Sequence, residues 1–343
     1  MWGLYTSLAK YYNVEDIDIS HINSPFYNRV CVRLSKMFKL KLDDIELSLV
    51  NRTKKFFFNN GPTEGKYFQF YESIEDNQIT ETYMFIDESL DHVLYMYHNQ
   101  PDVLAKSNYA NVNLKHLTER CKHQNEYLNK CAGVFTLCHW LVKDLVERTG
   151  IPAEKVHYGG SGINVDFDKI DESDKKGNKI LFVGKDFERK GGYHVVEAFK
   201  QLRKKMPEAE LYVAGPKTNP IKEDIPGYHY LGLCNRSELN NLYNKCDVFA
   251  MPSYFEAFGI VFVEALTFGL PCLVRNCQDM PYVVEHGKTG LVIDHDDVYQ
   301  TSEYLYNLLT DETFKSNVKK NRAYYRDYYS WETVAKRIHK VIG

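Results

Sequence analysis

Apolar and polar positions alternate regularly along the second half of the chain. Short apolar runs, most of them followed by glycine or proline, are separated by stretches with the spacing of amphipathic helices. Strands that alternate with helices predict a parallel sheet covered on both faces, whose ligands bind beyond the carboxyl ends of the strands. The predicted strands are 180–183, Glu210–Ala214, 228–231, 248–251 and 271–275, and the predicted helices are 194–204, 237–245 (with Ser237 as its cap) and 260–268.

The first half shows the same alternation less clearly. A polar stretch at 166–178 reads as a linker or surface loop between the halves. The pattern therefore predicts an α/β protein with one domain at 1–165 and a second at 166–329. The predicted strands of the first half are 14–19, 83–86 and 134–137, and the predicted helices are 112–129 and 139–148.

Composition narrows the class of protein. The 343 residues are 44% hydrophobic and carry a formal net charge of -3, so no global basic field recruits nucleic acid. The eight cysteines form no CxxC pair, which predicts buried free thiols in a reducing cytoplasm. No apolar run approaches the length of a membrane span, and no signal peptide is recognisable, so a cytoplasmic location is expected.

The segment 252–264 carries the strongest candidate chemistry. Pro252 breaks a strand, Glu256 follows in a loop, and a helix begins near Gly259 and carries Glu264. A helix start of this kind presents free backbone N–H groups that suit a diphosphate, and glycine lets a ligand approach the backbone. A surface loop before an amphipathic helix is the plainer interpretation. The run 260–263 is apolar on all sides, however, and a glutamate in a buried helix needs a partner.

This segment resembles a known family signature. Glu256 and Glu264 are separated by seven residues within Pro-Ser-x-x-Glu-x-Phe-Gly-x-x-x-x-Glu-Ala, which is similar to the E-x7-E motif of retaining glycosyltransferases of the GT-B fold, the glycosyl transferases group 1 family. The sequence before and after the motif fits as well, so that the resemblance covers residues 130–343. It implies two Rossmann-like domains with parallel sheets facing a central cleft, and a last helix, 330–343, that packs back on the first domain.

The resemblance implies a role for several residues of the second domain. Lys190 matches the family's phosphate-binding lysine, and Lys185 stands where arginine is usual, which predicts a weaker contact that Arg189 could compensate. A solvated basic turn is the alternative for these lysines. Cys234 and Leu239 fall where the family holds its nucleobase, although ordinary core and cap positions explain them nearly as well.

The first domain supplies fewer candidates. Asp87 follows the strand whose end faces the donor sugar in the family, with His92 and His98 as alternatives, although a helix-capping aspartate explains Asp87 equally well. Gly3 resembles the family's loop glycine near the donor phosphates. Almost nothing precedes Gly3, so the first strand is expected to be short or missing.

A basic segment at 29–58 interleaves lysine and arginine with apolar residues and contains no acid before residue 43. Such a segment either lies on an anionic membrane surface or forms an ordinary amphipathic helix with a basic outer face. Many relatives in the family glycosylate lipid-linked acceptors at the inner membrane face, so the resemblance implies a peripheral membrane contact as one of these two equally favoured interpretations.

The resemblance implies a hexosyltransferase that moves a sugar from a UDP- or GDP-linked donor to a glycan or lipid-linked acceptor in polysaccharide or glycolipid synthesis, with retention of configuration. No clustered Asp-x-Asp of the kind that holds a catalytic metal lies in the donor segment, so neither metal nor another cofactor is expected. A catalytically silent GT-B partner protein, a sugar-nucleotide epimerase and a phosphorylase are the alternatives. The expected catalytic residues are Asp87, Glu256 and Lys190, and the expected nucleotide-sugar contacts are Gly3, Lys185, Lys190, Cys234, Leu239, Glu256, Ala257, Phe258, Gly259 and Glu264.

Overall fold

Two parallel β-sheets organise the protein. The computed structural model describes residues 2–14, 65–70, 81–171, 173 and 177–343. Within these residues the first sheet has four parallel strands in the order β1-β2-β3-β4, which is the order along the chain. Its strands are β1 (Lys66–Phe70), β2 (Glu81–Ile86), β3 (Gly133–Thr136) and β4 (Val156–Tyr158).

The second sheet is built from the apolar runs of the second half. Its six parallel strands have the order β10-β9-β8-β5-β6-β7, so the chain first extends the sheet on one side of β5 and then returns to the other side. The change of direction falls between β5 and β8, where ligands bind in open sheets of this kind. The strands are β5 (Lys179–Val183), β6 (Glu210–Ala214), β7 (Tyr228–Gly232), β8 (Val248–Ala250), β9 (Cys272–Arg275) and β10 (Gly290–Ile293).

Helices cover both sheets. In the first half they are α1 (Trp2–Leu8), α2 (Leu90–Asn99), α3 (Pro101–Ala105), α4 (Leu114–Lys130) and α5 (His139–Asp144). In the second half they are α6 (Gly192–Lys205), α7 (Arg236–Lys245), α8 (Ile260–Thr267), α9 (Met280–Val283), α10 (Val298–Thr310), α11 (Glu312–Lys320), α12 (Arg322–Tyr328) and α13 (Trp331–Ile342).

Local chemistry explains the ends of several helices. Asn235, rather than the predicted Ser237, caps α7, because its side chain accepts from the backbone of Glu238 while Glu238 reaches back to the backbone of Asn235. The helix predicted at 139–148 is α5 followed by a turn of π-helix, Leu145–Thr149, which Gly150 ends in the left-handed conformation.

The ends of the described chain pack together. Leu4 and Leu8 of α1 are buried against Val334, Ala335 and Ile338 of α13 and against the first sheet. The last helix thus returns to the first domain after the second sheet is complete. Gly3 lies inside α1, so the prediction of a loop glycine at this position is wrong.

Close packing explains Gly3 in its helical setting. A Cβ atom there would lie 2.2 Å from the Trp331 ring of α13.

The predicted strand 14–19, apart from Val14, and the basic segment 29–58 lie outside the described residues, so the membrane contact stays a prediction. The question of a missing first strand stays open for the same reason.

A continuous core links the two sheets. One buried cluster runs from Met84 and Val134 of the first sheet to Phe182 and Phe262 of the second domain. A separate cluster under α2, α3 and α4 also takes in Phe255, which belongs to the second half of the chain. The two domains are therefore joined by buried apolar packing. No helix in the described part of the chain is long and apolar enough to cross a membrane.

Candidate active site

Glycines bring three loops together at the carboxyl edge of the second sheet. A Cβ atom on Gly215, after β6, would lie 2.6 Å from the backbone of Gly184, after β5. A Cβ atom on Gly191 would lie 2.4 Å from the carbonyl oxygen of Pro252, after β8. Side chains at these positions would separate the loops, so glycine is what lets them meet at the switch point.

Lys190 and Glu256 meet where these loops converge. The Lys190 Nζ donates to Glu256 Oε2 at 2.6 Å, and the two side chains are only 15% and 17% exposed. The lysine stem lies over Gly184, where a Cβ atom would come within 2.4 Å of Lys190 Cδ. Partial burial of this kind strengthens the attraction between the two charges relative to bulk water.

A dense set of hydrogen bonds fixes residues 252–258, which we call the donor loop after the role that the sequence predicts for it. The backbone N–H of Tyr254 donates to the Arg189 carbonyl at 2.9 Å, and the buried Ser253 hydroxyl donates to the Phe255 carbonyl at 3.0 Å. Arg189 in turn donates from Nη1 to the Phe255 carbonyl at 2.5 Å. The turn after β5 and the donor loop are therefore held as one unit.

The helix after the donor loop begins as predicted. Gly259 is the N-cap of α8, with φ 69° and ψ 59°, a left-handed conformation that favours glycine. A side chain at this position would also meet Phe262, whose Cδ2 lies 2.6 Å from a Cβ atom built on Gly259. The cap has no side-chain hydrogen bond, and the Phe262 N–H donates to the Gly259 carbonyl at 2.9 Å, so no side chain caps the first turn of α8.

Glu264 is buried and has partners. Its Oε1 accepts from Arg236 Nη1 at 2.6 Å, and its Oε2 accepts from the Tyr243 hydroxyl at 3.4 Å. Arg236 is half exposed, whereas Glu264 is almost fully buried, so the carboxylate sits at the inner end of a contact that opens to solvent. The partner that a buried glutamate requires was not identified from the sequence, although Arg236 directly follows the helix cap.

Three other predicted contacts surround this core of the site. Lys185 is exposed in the turn after β5. Cys234 follows β7 with its thiol 3.9 Å from the Gly232 carbonyl, and Leu239 is half-buried on α7 against the main core. Lys185 and Cys234 follow strand ends at the same edge of the sheet as Lys190, whereas Leu239 lies in the first turn of α7.

In the first domain, two neighbouring carboxyl groups follow β2. Burial raises the pKa of Asp87, and it raises the pKa of Glu88 well above its usual value. Glu88 Oε1 accepts from the backbone of Ser89 at 3.2 Å. The sequence predicted a role for Asp87 and none for Glu88, although both residues directly follow β2.

The donor loop reaches across to the first domain. Phe255 is 5% exposed within the cluster under α2 and α4, with its ring 5.9 Å from that of Tyr109. The Trp140 indole donates to the Ala257 carbonyl at 2.9 Å. Phe258 is buried beside Tyr329, at 6.0 Å between ring centroids. The predicted contacts Ala257 and Phe258 therefore have structural partners on the chain itself.

Gln278 and Asp279 connect the two domains and were not identified from the sequence. Asp279 is fully buried, and its Oδ1 accepts from the backbone N–H groups of His139 and Trp140 at 2.6 and 3.1 Å. It therefore caps α5 of the first domain from a loop of the second. A cap from another domain has no local sequence signature, because the usual signal is a capping side chain directly before the helix.

The comparisons with known proteins agree with this arrangement. Residues 165–325 match the model of the family described as Glycosyl transferases group 1. The D-inositol 3-phosphate glycosyltransferase of Corynebacterium kroppenstedtii is 27% identical over 177 residues, which cover 47% of this chain and 39% of that protein. The chain thus spans about two fifths of this curated relative. These matches show that the second domain is similar to the glycosyl transferases group 1.

Solved structures define the class of fold. TarM matches with a TM-score of 0.60 at 13% identity, covering 78% of this chain and 51% of TarM. Anabaena HepE in complex with UDP-glucose matches with a TM-score of 0.57 at 16% identity, covering 76% of this chain and 72% of HepE. The protein has the GT-B fold, with two parallel-sheet α/β domains, as the sequence predicted.

Proposed function

We propose that the protein is a retaining glycosyltransferase that moves a hexosyl unit from a nucleotide-diphosphate sugar to a hydroxyl of a glycan or lipid-linked acceptor. UDP is the preferred nucleotide and GDP the second choice. The contact between Lys190 and Glu256 at the switch point, directly before the start of α8, carries the proposal. The family match of the second domain and the likeness to HepE bound to UDP-glucose support it.

The leaving diphosphate is the first charge that the site has to stabilise. Departure of the sugar leaves negative charge on the phosphate oxygens, and fixed donors in a partly desolvated cleft stabilise such charge most effectively. Lys190 supplies a compact cation, and the uncapped N-terminus of α8 supplies backbone N–H groups. Lys185, exposed on the same edge, adds a second cation that a long anionic ligand can reach.

The sugar itself is oriented by carboxylates. Glu256 is held through Lys190 and through its own backbone N–H, so its free oxygen can accept from sugar hydroxyls. Asp87 approaches from the first domain at the end of β2. We assign neither residue as a covalent nucleophile. The departing phosphate takes the proton of the acceptor hydroxyl on the same face of the sugar.

The nucleoside lies farther along the second domain. Glu264 offers a buried carboxylate for the two ribose hydroxyls, with Arg236 at its solvent-facing side. Cys234 and Leu239 border the position expected for the base, where backbone atoms supply most of the hydrogen bonds.

Product analysis separates this proposal from its rivals. Purified protein incubated with UDP-glucose and no acceptor should slowly release glucose and UDP, whereas an epimerase would give an isomeric UDP-sugar. Glu256→Ala should abolish release without unfolding the protein. Glu197→Ala, which removes an exposed glutamate of α6, is the matched control. A wild-type protein that releases nothing and binds neither UDP nor GDP would instead be a silent GT-B partner.

A further inference from the structure

The turn Cys277–Asp279 touches the donor loop and the first domain at the same time. It follows β9 and precedes α9, and it lies next to Tyr254 and Glu256. Its central residue, Gln278, has φ 46°, a left-handed backbone conformation that residues other than glycine and asparagine seldom adopt. Strain of this kind persists only where surrounding contacts enforce it, and it is concentrated at functional sites.

The side chain of Gln278 forms a bridge. The backbone N–H of Glu256 donates to Gln278 Oε1 at 2.7 Å, and Gln278 Nε2 donates to Glu88 Oε2 at 3.4 Å. One amide group thus joins the residue at the centre of the donor loop to a carboxyl group of the first domain. Glutamine suits this task because its amide accepts on one side and donates on the other.

The neighbours of Gln278 hold the bridge in place. The Cys277 thiol donates to the Tyr254 carbonyl at 3.3 Å, which ties the turn to the donor loop. Asp279 caps α5 of the first domain through His139 and Trp140, which ties the turn to the opposite side of the cleft. Cys277 therefore contacts the donor loop, Gln278 forms the bridge, and Asp279 contacts the first domain.

We propose that Gln278 is a positioning residue that fixes Glu256 relative to the first domain by linking the Glu256 backbone to Glu88. The inference rests on the proposed function and extends it: the orientation of Glu256 toward the donor sugar is set from both domains. The phosphate and ribose contacts proposed for Lys190, Glu264 and the start of α8 all belong to the second domain and do not depend on the bridge. Loss of the bridge therefore affects kcat more than the KM for the donor.

Gln278→Gly is the most informative substitution. Glycine adopts a positive φ without strain, so the turn keeps its shape while the bridge is removed. Asn178→Gly is the matched control, because Asn178 is the other non-glycine residue with positive φ in the described part of the chain and lies at the opposite end of β5. We expect Gln278→Gly to lower kcat about 10-fold through the loss of its two hydrogen bonds, while Asn178→Gly leaves kcat unchanged.

A paired exchange tests whether the bridge itself matters. In Gln278→Glu combined with Glu88→Gln, the new carboxylate accepts from the Glu256 backbone and from the new amide, so the same link forms with the groups reversed. We expect this double variant to transfer faster than Gln278→Gly. Gln278→Gly with a kcat within about twofold of wild type, or a paired exchange no faster than Gln278→Gly, would overturn the proposal.

A measurement of stability keeps this inference separate from the proposed function. Wild-type protein without any transfer or hydrolysis contradicts the proposed function, and the bridge is then tested by thermal unfolding alone. In that case Gln278→Gly and Glu88→Ala should show non-additive effects on unfolding, because they remove two ends of one link. Additive effects would contradict the bridge.

Discussion

A Cβ atom on Gly191 would lie 2.4 Å from the carbonyl oxygen of Pro252, a contact that neither backbone can relieve without moving. Gly191 directly follows Lys190, and Pro252 begins the donor loop that carries Glu256. The close approach of these two backbones is therefore what places the lysine beside the glutamate.

Gly191→Ala should weaken both stability and activity. Gly287 has almost the same backbone angle, φ 76° against 75°, but a Cβ atom there would meet nothing within 4 Å, so Gly287→Ala isolates the backbone cost. We expect Gly287→Ala to cost about 1 kcal/mol, the usual cost of a left-handed conformation for alanine, and Gly191→Ala to cost more. Urea unfolding measures the loss of stability in each of the two variants. Equal costs would show that the contact with Pro252 is soft.

Asp279→Ala should destabilise the protein more than an ordinary cap substitution does. It removes the acceptor for two backbone N–H groups of α5, and Asp279 is fully buried between the domains. Asp311→Ala, which removes the exposed cap of α11, is the control. Loss of a helix cap costs about 1 kcal/mol, and we expect Asp279→Ala to exceed this in urea unfolding. A smaller effect than that of Asp311→Ala would mean that the domains hold together without this cap.

The sequence predicted the second domain well because its signals are local. The five predicted strands of this domain agree with the observed ones to within one residue at each end, although β10 was not predicted, and the start of α8 at Gly259 is confirmed. The residues that were missed act over long distances in the chain. Glu88 and Gln278 are 190 positions apart and meet only because two sheets face one another.

Gly3 illustrates the other limit of the sequence. Its loop role was inferred from similarity to the family at a position with almost no preceding sequence, and tertiary packing of α1 against α13 gives it a helical setting instead. The roles of Asp87, Lys190, Glu256 and all the other predicted site residues toward the donor stay predictions, since the contacts within the chain do not define contacts with a donor.

Glu264→Ala and Arg236→Ala should affect nucleotide binding in different ways. If Glu264 binds the ribose, its removal weakens UDP binding by about 10- to 100-fold, the usual effect of losing hydrogen bonds to a charged group. Arg236→Ala leaves the carboxylate in place with Oε1 released, so UDP binding should persist. Isothermal titration with UDP measures both. Equal losses would indicate that the Arg236–Glu264 contact only supports the fold.

The free energy of unfolding of Glu88→Gln should increase relative to that of wild type as the pH rises. Burial raises the pKa of Glu88, so the folded protein holds this proton to a higher pH than the unfolded chain does. Ionising Glu88 then costs stability as the pH rises through its folded-state pKa, and glutamine avoids that cost. Urea unfolding of both proteins between about pH 5 and pH 8 measures the difference.

Glu81→Gln provides the control of opposite sign. A hydrogen bond from Tyr83 is the largest cause that lowers the pKa of Glu81, so its ionised form contributes stability that is lost as the pH falls. The free energy of unfolding of wild type should therefore exceed that of Glu81→Gln by less as the pH falls. A pH-independent difference between wild type and Glu88→Gln would contradict the raised pKa of Glu88.

Binding of nucleotide-sugars to wild type and to Lys190→Ala tests the central claim most directly. A thermal-shift panel of UDP- and GDP-sugars, followed by titration with the best ligand, requires neither the acceptor nor its linkage to be known. The account predicts that at least one donor stabilises wild type, and that Lys190→Ala weakens its binding about 10- to 100-fold through loss of a charged phosphate contact. Equal binding by Lys190→Ala, or no stabilisation by any donor, would contradict it.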